Sequence, residues 1–287
     1  MDNRSRLVLG TVQFGLNYGI NSAGRPGEKE VRKILLEARN QGLTTIDTAY
    51  AYGESEQVLG RCFPEKHTFR VVTKLPPGVT PDSCPGFIRE SMQRLRINGL
   101  YGLLFHRLDD YKRNPDAFED IFADLKQEGK LDKYGVSLND TSELDWLIER
   151  KKGIEMIQVP YSILDRRYEP YFPHLKKEFG TEIHTRSAFL QGLYFKSVEE
   201  LGPKMMPMAP YLTEVKSAAG RAGLDLPAFL LSFPFANEAV DGILTGVDNL
   251  LQFRANIVGL NTLTTDIPEI IIDKKHEYLL NPVNWKD

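Results

Sequence analysis

Eight short runs of apolar and β-branched residues punctuate the chain. They are LVLGT (7–11), TTIDTA (44–49), RVVTKL (70–75), YGLLFH (101–106), KYGVSL (133–138), IEMIQVP (154–160), EIHTRSA (182–188) and VDGILTG (240–246). Such runs read as strands. The longer segments between them carry apolar residues every three or four positions. In EKEVRKILLEARNQG (28–42), Val31, Ile34, Leu35 and Ala38 share one face and Gly42 supplies a helix stop. PDAFEDIFADLKQEG (115–129) repeats the form with Phe118, Ile121, Phe122 and Leu125. Asp140-Thr-Ser-Glu143 has the pattern of a capping box ahead of a helix around Leu144 to Ile148. Alternating strands and helices imply a parallel sheet. Eight such units predict an α/β fold of the closed (β/α)₈ TIM-barrel type, with its active site at the C-terminal face. The alternative, a doubly wound open sheet, is disfavoured because no G-x-G-x-x-G turn follows the first run.

The bulk composition narrows the class. With 287 residues the chain is long enough for a large core, and it reads as a single domain over 1–287 without internal repeat or linker. Hydrophobic content of 41% and charged content of 26% are those of a soluble globular protein. A net charge of −3 gives no electrostatic footprint for nucleic acid or an anionic membrane. No apolar run approaches the ~20 residues a membrane span requires. The only cysteines, Cys62 and Cys84, imply a reducing, cytoplasmic setting and fit no zinc pattern, so no metal is expected. The longest stretch between strands, 189–239, holds GPKMMPMAP (202–210) and two helical segments, with Pro227 suited to a first turn. It leaves strand seven at the C-terminal face, where it would wall a ligand site.

Polar residues gather at the predicted strand ends. Asp47 ends strand two, Tyr52 lies in the following loop, Lys74 ends strand three and His106 ends strand four. Taken singly, an aspartate there is a turn or cap residue, a loop tyrosine is packing, and a histidine after an apolar strand is a core residue. Lys74 is harder to dismiss, because a lysine is almost never buried without a partner, and Asp47 on the next strand can provide one.

At these residues the sequence resembles the aldo-keto reductases over nearly its whole length. The resemblance rests on GLTTIDTAYAYGE (42–54) with Glu56 and Gly60, the lysine of VVTKL and the histidine of LLFH. It continues through GVSLND (135–140), Gln158 in MIQVPYSIL, QGL (191–193) and GVDNLLQFRAN (246–256). It implies a (β/α)₈ barrel that reduces a carbonyl with a nicotinamide cofactor, with Asp47, Tyr52, Lys74 and His106 as the catalytic positions. Hydride transfer puts negative charge on the carbonyl oxygen, which then needs a proton. A tyrosine phenol can supply one, but its ordinary pKa is about 10. A lysine ammonium ~4 Å away contributes ~4 kcal/mol at an effective dielectric near 20, enough to lower that value by about two to three units. On this reading Asp47 keeps Lys74 charged, and a neutral His106 orients the carbonyl.

The resemblance also implies a cofactor set. Ser137 or Asn139 would meet the nicotinamide carboxamide, which of the two being open because Leu138 separates them. Gln158 would meet the same group. Arg186 stands where many members carry a stacking aromatic residue, and a guanidinium can also stack on a flat ring. Gly192 and Leu193 would donate to the pyrophosphate. Thr11, Asp47, Gly246, Asp248, Gln252 and Asn256 complete the set, the last three at the start of a helix whose N-terminus can hold phosphate. A narrow preference for NADP, as NADPH, is expected, with NAD possible. Gln252 and Asn249 can donate to the extra phosphate, whereas Asp248 would repel it and Arg254 lies about 200° round the helix from Gln252. Gln13, Phe14, Tyr50, Tyr52, His106, Arg107 and Tyr161 should border a small carbonyl substrate, and Arg107 suggests a polar one such as a sugar. The tail NPVNWKD would cover the barrel mouth or pack beside it. A monomer is expected. The rival reading is a sensing protein that holds the cofactor with little turnover.

Overall fold

The computed structural model describes residues 3–20 and 24–285. Eight parallel strands close into a barrel in chain order. They are β1 Leu7–Gly10, β2 Thr45–Asp47, β3 Arg70–Leu75, β4 Leu100–Phe105, β5 Leu131–Ser137, β6 Met156–Pro160, β7 Glu182–Arg186 and β8 Gly242–Gly246. Closure is made by β1 on β8, with Gly10 beside Gly246. Each strand lies within two residues, at either end, of the run that predicts it. β2 is shorter, although Thr48 N and Tyr50 N still donate to the Val72 and Lys74 carbonyls on β3. β5 starts two residues early, at Leu131.

The predicted helical faces are the buried ones. Helix Glu28–Asn40 buries Val31, Ile34, Leu35 and Ala38 completely, and Gly42 at φ +80° turns the chain out of it. Helix Pro115–Gln127 buries Phe118 and Phe122 against Phe105 of β4. Asp140 accepts from Ser142 N while Glu143 accepts from Asp140 N, so the capping box forms. After β7 come short 3₁₀ turns and then helices Ala209–Arg221 and Leu226–Ala236. Trp285 Nε1 donates to the Leu279 carbonyl and Tyr211 Oη accepts from Asp273 N, so the tail packs beside the barrel wall. Lys286 and Asp287 lie outside the described residues.

Two apolar cores result. The larger lies between strands and helices, and a small one of Val72, Leu104 and Met156 lies inside the barrel. Gly102 makes room for the inner one, since a Cβ there would meet Met156 Sδ at 3.0 Å and Val72 Cγ2 at 3.1 Å. At the N-terminal ends of the strands, Glu182 accepts from Tyr101 Oη at 2.5 Å, Lys133 Nζ at 2.6 Å and His184 Nε2 at 2.8 Å. Tyr101 and Glu182 sit on β4 and β7, which are not neighbours, so this bond crosses the barrel interior. Although burial opposes it, these donors hold the Glu182 carboxyl well below the usual carboxylate range. The bottom of the barrel is thus filled by a bonded charge cluster.

Candidate active site

The opposite end collects the predicted polar residues. Asp47 ends β2 and Lys74 is the penultimate residue of β3, 2% and 1% exposed. Lys74 Nζ donates to Asp47 Oδ1 at 2.6 Å, to Oδ2 at 2.8 Å and to the Thr48 carbonyl at 3.1 Å. Gln158 Nε2, from β6, donates to Asp47 Oδ2 at 2.8 Å across the barrel. An ammonium has three protons, and all three are placed.

That accounting alters the expected role of Lys74. Its nitrogen stands 5.2 Å from the centre of the Tyr52 ring and gives no proton to the phenol. Burial, followed by the Asp47 carboxylate, pushes the Tyr52 phenol above its ordinary pKa, and Arg186 acts in the other direction. The surroundings of Tyr52 thus raise its phenol, where the sequence expectation had it lowered. His106 meets its ring edge-on, with centroids 6.0 Å apart and planes at 88°. Burial draws the His106 imidazole down to about 4, helped by Lys74 and Arg186, so it is neutral as expected.

Tyr52 is held by packing that no motif names. The chain turns from Tyr52 N to the Ala49 carbonyl, reverses at Gly53 with φ +58°, and enters helix Ser55–Cys62. Ser55, fully buried, donates its hydroxyl to the Thr11 carbonyl at 2.8 Å and lies 3.0 Å from Thr48 Oγ1. Thr11 donates in turn to the Asp47 carbonyl at 2.9 Å. Gly15 lies directly beneath, where a Cβ would fall 1.7 Å from the Tyr52 carbonyl oxygen. Glu56, 1% exposed, accepts from Thr73 at 2.8 Å, and Glu54 pairs with Arg25 at the surface.

A cleft of about 430 Å³ starts at Asp47 and Tyr52 and runs along β1 and β8 to the helix Leu250–Gly259. Of the expected cofactor residues, Thr11, Asp47, Gln158, Arg186 and Gly192 line it, as do Gly246, Asp248, Gln252 and Asn256. Ser137 is buried beside Gln158 in register and is not part of the wall. Asn139 is exposed, and its Oδ1 accepts from Arg186 at 2.6 Å, while Arg186 also donates to the Leu138 carbonyl at 2.9 Å. Leu193 is wholly buried in the core.

The substrate set divides. Tyr52 lines the cleft and His106 stands beside Tyr52. Phe14 is fully buried in the outer core, not in the cleft wall. Tyr161 packs against Phe172 and Phe233 and accepts from Asn237, also outside the wall. Arg107 is exposed as the residue capping helix Leu108–Lys112. Tyr50 donates to Glu90 at the barrel's outside.

Sequence reasoning passed over Tyr18, Ser187, Phe189 and Gln191, which all line the cleft. Ile20 N donates to the Gln191 carbonyl at 3.0 Å, tying the loop after β1 to the loop after β7. Ser187, Leu190 and Gln191 all hold positive φ, an uncommon backbone that concentrates at functional sites. The signal in the sequence was the length of the loop after strand seven, not any one residue. The cleft suits a dinucleotide. Gln13 Oε1 is buried in its wall without a partner, and a Cβ on Gly246 would lie 2.4 Å from that oxygen.

With this geometry in view, comparison with known proteins defines the class. The Aldo/keto reductase family matches over residues 6–272, and the chain belongs to that family. It is an NAD(P)-dependent oxidoreductase acting on small carbonyl compounds. Among its relatives is the uncharacterized oxidoreductase YqkF of Bacillus subtilis, 27% identical over 93% of this chain and 95% of the relative. Another is the NADH-specific methylglyoxal reductase of Escherichia coli, 23% identical over 96% and 95%. The holo structure of aldo-keto reductase AKR11C1 from Bacillus halodurans shares the fold with a TM-score of 0.71 and 21% identity, covering 94% of each chain.

Proposed function

We propose that this protein reduces a small aldehyde or ketone to its alcohol, with Tyr52 as the proton donor. The observation that carries this reading is the buried Lys74–Asp47 pair with Tyr52 and His106 beside it, at the head of a long cleft. A bound nicotinamide dinucleotide supplies the hydride. As the carbonyl is reduced, its oxygen would take the Tyr52 proton, which solvent replaces. Two neutral donors, a phenol and an imidazole, suit an oxygen that becomes negative only in the transition state. At Tyr52 the Arg186 guanidinium acts against the Asp47 carboxylate, and so favours negative charge forming on the oxygen beside it.

Thr11, Gln158 and Arg186 would hold the nicotinamide end, and Gly192 and Gly246 would allow the pyrophosphate to approach the backbone closely. NADP(H) is the family's typical cofactor, and the sequence expectation of NADPH rests on Gln252 and Asn249 as donors. The relative named NADH-specific leaves both forms open and makes a 2-oxoaldehyde the first substrate to try.

The test is a steady-state screen of aldehydes, ketones, 2-oxoaldehydes and sugars, each with NADH and NADPH. Turnover should appear in wild type and vanish in Tyr52→Phe. Tight cofactor binding with no turnover of any carbonyl would instead indicate a sensing protein.

A further inference from the structure

The segment that carries Tyr52 is gripped from outside the barrel as well as from within. Its two ends are Tyr50, just before the phenol, and Glu56, in the first turn of the helix after it. Both ends are tied to β3 beside Lys74. Tyr50 N donates to the Lys74 carbonyl at 3.0 Å, and Glu56 Oε1 accepts from Thr73 Oγ1 at 2.8 Å. Between them the chain reverses through Gly53 at φ +58°.

One guanidinium meets both ends. Arg94, on helix Cys84–Leu95, has a side chain 20% exposed. Its Nη2 donates to Tyr50 Oη at 3.1 Å, and its Cζ lies 4.1 Å from the centre of the Tyr50 ring. Its Nη1 stands 3.5 Å from Glu56 Oε2, a buried oxygen with no hydrogen-bond partner. Among the described residues, Arg94 is the one cation in ion-pair contact with Glu56. Burial pushes the Glu56 carboxyl up, and Thr73, Ser91 and Arg94 act against it. Glu90 accepts from Tyr50 Oη at 2.8 Å and also from Arg94 Nη2, and Phe87 meets the Tyr50 ring edge-on at 5.0 Å. The helix after Tyr52 lies hard against this one, since a Cβ on Gly60 would fall 2.0 Å from the Arg94 carbonyl oxygen. A planar guanidinium can hold two such partners in fixed directions, which an ammonium cannot.

We propose that Arg94 is a positioning residue for Tyr52. It joins the two ends of the segment on the outer side, as Ser55 and Thr11 hold it on the inner side, and so fixes where the phenol stands. The inference rests on the reading of Tyr52 as proton donor. Arg94 touches no reacting atom, and its effect reaches the carbonyl only through the phenol. A displacement of about 1 Å in a reacting group is enough to cost roughly a hundredfold in rate.

Two variants test it. Arg94→Met removes the fork and keeps the stem. Arg94→Met/Glu56→Gln also removes the buried carboxyl that would lose its counter-ion, and glutamine keeps an oxygen for Thr73, so the double variant should melt close to wild type. Each protein is followed by single-turnover carbonyl reduction, by cofactor titration and by the ¹³Cζ resonance of Tyr52 in tyrosine-labelled protein, assigned through Tyr52→Phe. The single-turnover rate is expected to fall at least about tenfold in both variants, with cofactor Kd within about threefold of wild type. The Tyr52 resonance should shift or broaden in both. A double variant that regains rate and resonance together with its stability overturns the proposal, because Arg94 would then only neutralise Glu56. An unchanged rate or resonance in Arg94→Met overturns it too, as does cofactor binding weakened in step with the rate. If wild type turns over no carbonyl, the reductase reading falls, and the Tyr52 resonance alone decides whether Arg94 holds the phenol.

Discussion

Replacing Lys74 and Asp47 separately and together tests why a charge pair lies in the barrel. Lys74→Met keeps the length of the side chain and removes the charge. Asp47 then loses the donors at 2.6 Å and 2.8 Å and keeps the one from Gln158 at 2.8 Å. With both groups at most 2% exposed, water cannot replace the lost bonds. Breaking such a pair from one side costs roughly 3–5 kcal/mol. Asp47→Leu should cost a similar amount, because Lys74 would retain only the Thr48 carbonyl at 3.1 Å. In the double variant Lys74→Met/Asp47→Leu, neither charge remains to be desolvated. It should be more stable than either single variant, by at least about 2 kcal/mol. Urea denaturation at pH 7 measures all four proteins, and single-turnover carbonyl reduction is measured alongside. Activity should be absent in all three variants, including the stable one, which would show that the pair is kept for chemistry. Single variants within about 1 kcal/mol of wild type, or a double variant equal to the sum of the two, would refute the reasoning.

Tyr52→Phe keeps the ring that packs near Lys74 and His106 and removes the proton. Single-turnover reduction should fall at least about a hundredfold with cofactor affinity little changed, and a variant within threefold of wild type would remove Tyr52 as the acid. Gly15→Ala places a methyl group 1.7 Å from the Tyr52 carbonyl oxygen. It should lower kcat/KM at least about tenfold while costing stability by the ~1–3 kcal/mol of an overpacked site. Unchanged kcat/KM would show that the turn carrying Tyr52 can give. His106, drawn down to about 4, stays neutral in the folded protein while its unfolded form protonates near 6.5. The unfolded state therefore binds more protons in this window, and His106 withdraws up to about 1.4 kcal/mol of stability per unit as pH falls from 6.5 towards 4. Stability measured at pH 7 and pH 4.5 should differ less in His106→Asn than in wild type, and equal differences would mean that another group carries the effect.

The sequence by itself determined the periodic features. Strand and helix spacing reports which face of each element is buried, and this was enough for eight strands, for Val31, Ile34, Leu35 and Ala38, and for the cap at Asp140. It also placed Asp47, Lys74 and His106 at strand ends, because parallel strands in a barrel all finish at one face. Periodicity does not report what each polar atom meets once the sheet has closed. Gln158 reaches Asp47 from 111 positions away because β2 and β6 face each other across the barrel axis. That contact and the Thr48 carbonyl complete the network that leaves Lys74 no proton for Tyr52. Phe14 and Tyr161 looked like pocket residues by position, yet closure turned both into core. Gly15 is left without room for a side chain only because its loop lies under the Tyr52 turn, and Ser55 finds its partner only where its hydroxyl reaches Thr11. Nothing in the apolar pattern of helix Glu28–Asn40 singles out Glu30. The packing of that helix beside the one after β8 put its carboxylate on Leu250 N, 220 positions away, because register and closure, not local pattern, choose the partners of a charged group.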